Sequence, residues 1–132
     1  MAHAKLDPLS RDRWVSLDDS ASAPGAEKTP GGVLRTNAFD DATGHANLYE
    51  LLSRVNHSCE PNAIRQTETG GQSVVQLVSC VAIREGDEIL VNYMDGIDEG
   101  LNVEQRRSRL QQQYRFHCEC PRCKREALEA RA

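Results

Sequence analysis

Several features that large protein classes depend on are missing from this sequence. No apolar run approaches the ~20 residues needed to cross a bilayer. The opening Met1-Ala2-His3-Ala4-Lys5 has no apolar signal core, so neither a membrane span nor secretion is expected. Positive charge is not in excess: 16 Lys and Arg against 20 Asp and Glu give a net charge of −4. A protein that grips phosphate backbones needs a concentrated basic footprint, so direct nucleic-acid binding is not expected either. No internal repeat is visible. What remains is 132 residues, 39% hydrophobic and 27% charged, enough for one soluble folded domain.

The first third is weakly patterned. Leu6, Leu9, Trp14, Val15 and Leu17 fit a short helix with Asp7 as cap and Pro8 in its first turn. Residues 18–32 hold Gly, Pro, Ser, Ala and charge, with no apolar side chain larger than alanine. They bury too little to offset backbone ordering and read as loop or linker. Leu48, Leu51, Leu52 and Val55 follow i, i+3, i+4, i+7 spacing, which predicts a short helix leading into Asn56. Residues 73–83, SVVQLVSCVAI, are β-branched and almost continuously apolar, as in a strand covered on both faces. Gly70-Gly71 and Arg84-Glu85-Gly86-Asp87 supply turns, and residues 88–93, EILVNY, form a second strand expected to pair with the first. A helix is predicted over 103–114, capped by Asn102 with Gln105 at its third position. Val103, Leu110 and Tyr114 share one face, and Arg106, Arg107 and Arg109 are assigned to the solvated remainder. The tail REALEARA, 125–132, is helix-prone.

Five cysteines are present, three of them in Cys118-x-Cys120-x-x-Cys123. Thiolates this close in sequence converge on one point without a large scaffold, and without a signal peptide such a cluster favours metal over disulfides. A structural zinc site takes four ligands, so one more must come from elsewhere. Cys59, Cys80, His57 and His117 are the candidates. Cys59 lies in a polar, turn-forming stretch, Asn56-His57-Ser58-Cys59-Glu60-Pro61-Asn62, and is the ligand chosen. Cys80, inside the apolar strand, reads as a small buried hydrophobe. His117, adjacent to Cys118, would strain a tight loop. The compartment is expected to be reducing, nucleus or cytoplasm.

Three blocks occur in order: Asn56-His57-Ser58-Cys59-x-Pro61-Asn62, then residues 82–93 (AIREGDEILVNY), then Tyr114-x-Phe116-x-Cys118-x-Cys120-x-x-Cys123. Together with Thr36-Asn37-Ala38-Phe39, they resemble the C-terminal half of the SET domain of protein-lysine methyltransferases and its post-SET zinc segment, in the layout of SET-and-MYND and fungal SET proteins. The resemblance covers roughly residues 33–124. It implies a mainly β fold with short helices, a SET-type β-clip with a pseudoknot, a C-terminal helix and a four-cysteine zinc segment. It also implies that residues 1–32 are a weakly structured N-terminal segment and linker, 33–115 a partial SET domain, 116–124 the post-SET segment and 125–132 a tail. The family's Gly-x-Gly donor loop is not found, and no cysteine precedes Cys59, so the N-terminal half of the fold is expected to be missing and a partner chain would complete it.

The implied function is methyl transfer from S-adenosylmethionine to a histone or non-histone lysine. By the resemblance, Asn56 and His57 contact the donor, and Tyr93 borders the transferring methyl as the catalytic residue. Tyr114 and Phe116 pack near donor and lysine channel, and Cys59, Cys118, Cys120 and Cys123 hold structural Zn2+. Two other functions fit parts of the sequence. One is a catalytically silent, zinc-stabilised protein-interaction module derived from a SET domain. The other is redox sensing through residues 118–123. Tyr93 ending an apolar strand, His57 in a turn and Phe116 beside the cysteines would each also suit ordinary packing.

Overall fold

A computed structural model describes residues 13, 16–40, 44–67 and 74–132, in two compact units, Met1–Arg54 and Val55–Ala132. The predicted N-terminal helix falls mostly outside the described residues, although Leu17 is buried.

In the first unit, α1 (Pro30–Asn37) takes in the last three residues of the stretch read as linker. Thr29 caps it by accepting from the Gly32 N–H at 3.0 Å, and Pro30 occupies the first helical position, a start signal the linker composition obscured. The segment before it is ordered by one carboxylate. Asp19 accepts hydrogen bonds from the backbone of Ala21, Ser22 and Thr29 and from the hydroxyls of Ser22 and Thr29. These donors, led by the Thr29 N–H, hold its carboxyl well below the usual range. Gly32 lies against that carboxylate, and a Cβ there would collide with it. Gly32→Ala is therefore expected to lower the unfolding midpoint of this unit by about 5 °C or more, read by differential scanning calorimetry against Gly31→Ala, where the added carbon meets open space.

Strand β1 (Phe39–Asp40) pairs antiparallel with β2 (Ala46–Asn47). The helix expected over 48–55 is only a 3-10 turn, Leu52–Arg54. Leu51 is 80% exposed, so its place in the apolar spacing stabilises nothing. The Ser53 hydroxyl instead takes the Tyr49 N–H and donates to the Asn37 carbonyl, the local competition by which serine diverts backbone from a helix.

The second unit contains β3 (Asn56–His57), β4 (Ala63–Thr67), β5 (Val75–Ser79), β6 (Leu90–Val91), α2 (Val103–Tyr114) and α3 (Pro121–Glu129). The pairing differs from expectation. β5 pairs antiparallel with β4, Ala63 opposite Ser79 and Thr67 opposite Val75, and β6 pairs parallel with β3. Asn62 explains the second pairing: its side chain accepts from the Leu90 N–H and donates to the Glu88 carbonyl, holding residues 88–90 beside the Asn56 stretch. The long apolar run is not a doubly covered strand. Its ladder stops at Ser79, the Cys80 N–H turns to the Asn62 carbonyl, and Val74, Leu77 and Val81 are exposed. Cys80 is exposed too, which corrects its reading as a buried hydrophobe. The turn at 84–87 is present, with Gly86 at φ +91° and the Asp87 N–H on the Arg84 carbonyl. The Gly70-Gly71 turn lies outside the described residues.

Helix α2 has the predicted limits and a complete capping box. Asn102 accepts from the Gln105 N–H at 2.9 Å while the Gln105 side chain accepts from the Asn102 N–H at 3.0 Å. It ends at Arg115, whose left-handed φ of 58° redirects the chain into Phe116-His117-Cys118. The core of this unit consists of Cys59, Met94, Val103, Leu110, Cys118 and Cys123, with Tyr114, Phe116, Cys120 and Ala127 packed on it. The hydrophobic core and the sulfur cluster are the same place.

Candidate metal centre and aromatic site

Ser58 turns the chain after β3. Its hydroxyl donates to the Glu60 carbonyl and accepts the Glu60 N–H, closing a tight loop that carries Cys59 inward. Cys118 and Cys120 follow the left-handed exit from α2. Cys123 sits in the first turn of α3, which Pro121 opens at its first position. Three separate pieces of chain thus deliver Cys59, Cys118, Cys120 and Cys123, whose sulfurs all lie within 4.8 Å of one another. His117 is exposed and is not part of this group.

The spacing decides between chemistries. Zinc–sulfur bonds of about 2.3 Å in a tetrahedron put neighbouring sulfurs about 3.8 Å apart. Cys59 Sγ is 3.9 Å from Cys118 Sγ and 3.6 Å from Cys123 Sγ. A disulfide would need about 2.05 Å, and all five cysteines are free thiols. The electrostatics point the same way. Two unit charges ~4 Å apart repel by about 4 kcal/mol at an effective dielectric near 20, so the sulfurs cannot all ionise on their own. Accordingly, hydrogen bonding to Cys118 and burial drive the Cys59 thiol far up, burial raises Cys123, and the bond from Cys59 pulls Cys118 down. A divalent cation removes that conflict. The donor set fits tetrahedral Zn2+.

Surrounding groups complete the shell. His57 Nδ1 accepts the Tyr93 N–H at 3.0 Å, which leaves the proton on Nε2, 3.2 Å from Cys59 Sγ. Both ring nitrogens are therefore engaged within the protein, and His57 offers a ligand only its ring surface and backbone. Arg107 Nε donates to the Cys118 carbonyl and Arg122 Nη1 to the Cys59 carbonyl. Arg106 is not on a solvated face: it is fully buried, with Nη2 3.6 Å from Cys123 Sγ and 2.6 Å from Glu126 Oε2. A sequence signal for this existed, because Val103, Arg106 and Leu110 fall at i, i+3 and i+7 on one face of α2, the face that is buried.

Next to the sulfurs the structure gathers four rings. Tyr93 stacks tilted on Tyr114 at 4.8 Å and on His57 at 5.2 Å; Phe116 lies 5.8 Å from His57 and 6.4 Å from Tyr114. The parallel β3–β6 pair sets His57 opposite Val91, two residues before Tyr93, and the α2 exit brings Tyr114 and Phe116 to the same point. The Tyr93 hydroxyl donates to the Val55 carbonyl at 2.6 Å. Burial pushes the Tyr114 phenol up, as desolvation of a partly buried tyrosine does. Asn56 is exposed, its amide donating to Glu88 Oε1 at 2.7 Å.

Comparison with known proteins identifies the family. Residues 6–94, more than half of the chain, match the SET domain. The chain is 33% identical to protein-lysine N-trimethyltransferase SMYD5 of Mus musculus over 89% of its own length and 30% of that protein. It is 39% identical to SET domain and MYND-type zinc finger protein 6 of Schizosaccharomyces pombe, over 68% of this chain and 17% of that one. Histone-lysine N-methyltransferase ASHR1 of Arabidopsis thaliana is 36% identical over 58% of this chain and 15% of its own. The chain thus spans about a third or less of the length of these curated relatives. The matched segment contains the Asn56–Asn62 loop and ends at Met94, just after the tyrosine that loop holds in place, and on that basis the chain belongs to the SET-domain family.

Proposed function

We propose that this chain binds S-adenosylmethionine and takes part in methyl transfer to protein lysine side chains, with Zn2+ bound by Cys59, Cys118, Cys120 and Cys123 as a structural ion. One observation carries the reading: the four-ring cluster of His57, Tyr93, Tyr114 and Phe116 is built directly onto the sulfur quartet. Aromatic faces attract organic cations, which suits both a sulfonium and the stem of a lysine. When bound, the donor supplies a methyl group already activated by its positive sulfur, so no general acid is needed.

The residues here do the rest. Tyr93 is positioned twice, through its N–H on His57 and its hydroxyl on Val55, and serves as the catalytic residue lining the methyl path. Tyr114 and Phe116 exclude water. A lysine amine, with an ordinary pKa near ~10.4, must be neutral to react, and a desolvated aromatic wall favours the neutral form. Asn56, at the exposed edge of β3, and the His57 backbone contact the donor. The four thiolates fix the segment bearing Phe116, and this reading takes residues 33–115 as a partial SET domain and 116–124 as a post-SET segment. No Gly-x-Gly occurs in the chain, so in this reading the donor's methionine end is held by a surface other than these motifs, for which a partner chain is one source. The setting is nuclear or cytoplasmic.

The test uses the zinc-loaded chain, donor carrying a labelled methyl group, and core histones as the protein probe. Label on histone lysine, lost in Asn56→Ala, supports the reading. Donor binding without transfer removes histones as substrates. No donor binding at all overturns the proposal and leaves the zinc-stabilised interaction module.

A further inference from the structure

We propose that Arg106 is the charge-compensating cation of the metal centre, a positioning residue that sets how tightly Cys123 and its three partners retain the ion. The inference rests on the reading of the four cysteines as a zinc site. Zinc with four thiolates carries two net negative charges, and here the set lies in the core of its unit, where such charge is costly to keep unpaired. Arg107 and Arg122 reach the Cys118 and Cys59 carbonyls, whereas Arg106 points its charge at a sulfur. The residue is 0% exposed, donates from Nη1 to the Leu101 carbonyl at 2.8 Å, and points Nη2 at Cys123 Sγ at 3.6 Å. Its Nε, also buried, has no hydrogen-bond partner among the described residues.

A helix–helix ion pair alone does not account for this burial. Glu126, on α3, receives the same Nη2 at 2.6 Å, but its side chain is 30% exposed and shared with Arg122. Burying a guanidinium for one half-solvated carboxylate is poor compensation. Burying it against a dianionic cluster is favourable to both. Outer contacts of this kind, which hold ligands and tune the ion, typically change metal affinity 10–100-fold when lost. Glu126 then holds the guanidinium in place without being the reason for it.

Arg106→Met, close in volume and uncharged, is expected to lower zinc affinity about 10–100-fold and to speed zinc loss to a colorimetric chelator. It should also shift the sulfur-to-metal charge-transfer band of the Co2+-substituted chain. Arg106→Lys keeps the charge and is expected to restore most of the affinity. Glu126→Gln should leave it within about threefold of the native value. Native affinity and an unshifted Co2+ band in Arg106→Met overturn the proposal, as does an equal loss in Glu126→Gln, which would make Arg106 a strut between helices. If Arg106→Met does not fold, Arg106→Gln at native helicity decides, weakened zinc affinity with a shifted band supporting the proposal and native affinity with a native band overturning it. The native chain is assayed alongside: one zinc per chain upholds the metal reading independently, while none removes that reading together with this inference.

Discussion

Cys118→Ala is expected to abolish zinc binding and, with it, the cooperative folding of residues 55–132. Half of the unit's central cluster consists of the candidate metal ligands: Cys59, Cys118 and Cys123 are three of its six buried residues, the others being Met94, Val103 and Leu110. Structural zinc in small peptides is worth on the order of 10 kcal/mol in apparent terms near pH 7, comparable with the whole stability of an ordinary domain. Losing one of four ligands should therefore cost most of the net stability. Circular dichroism should show α2 and α3 melting without a sharp transition, and a strong chelator should do the same to the native chain reversibly. Cys80→Ala is the control, because its thiol is exposed and lies outside the cluster. It should retain native zinc content and native melting. X-ray absorption at the zinc edge should find four sulfurs at about 2.3 Å. Native-like melting of Cys118→Ala would show that the helices hold together without the ion.

Tyr93→Phe is the second large effect, and it falls on rate rather than fold. The ring contacts with Tyr114 and His57 survive the change, and so does the backbone N–H on His57. The hydroxyl's bond to the Val55 carbonyl is lost. A part-buried carbonyl left without its donor costs at most roughly 1–3 kcal/mol of stability, tolerable in a zinc-bound unit. Loss of a group aligned on the reacting centre typically costs about 100-fold or more in kcat. The expected result is a fall of that order in methyl transfer with donor affinity within about threefold of native. A parallel loss of both would make Tyr93 a packing residue, and an unchanged rate would remove it from the chemistry.

The legible parts of this fold were those with strong local signals. Helix α2 was predictable to the residue because Asn102 and Gln105 form a reciprocal cap that depends on nothing distant. The cysteine cluster was legible for the same reason, since three ligands lie within six residues. The strand pairing was not. Residues 75–79 and 90–91 both look like strands, but partner choice rests on the Asn62 side chain holding Leu90 and Glu88 from 28 and 26 residues away. Apolar composition misled at Cys80, where the chain leaves the ladder, and at Leu51, where the spacing was helical but nothing packs on it. Arg106 was hidden by its charge: arginine on a helix usually faces water, and only the buried sulfurs give it a reason to turn inward.

One imidazole joins the sulfur quartet to the aromatic site directly: His57 touches Cys59 on one side and Tyr93 on the other. The most direct test of the whole account is a calorimetric titration of S-adenosylmethionine into the same preparation, first zinc-loaded and then stripped by chelation. Saturable binding that disappears with the zinc and returns on reloading is the predicted result. Equal affinity in both forms, or no binding when one zinc per chain is present, would contradict it.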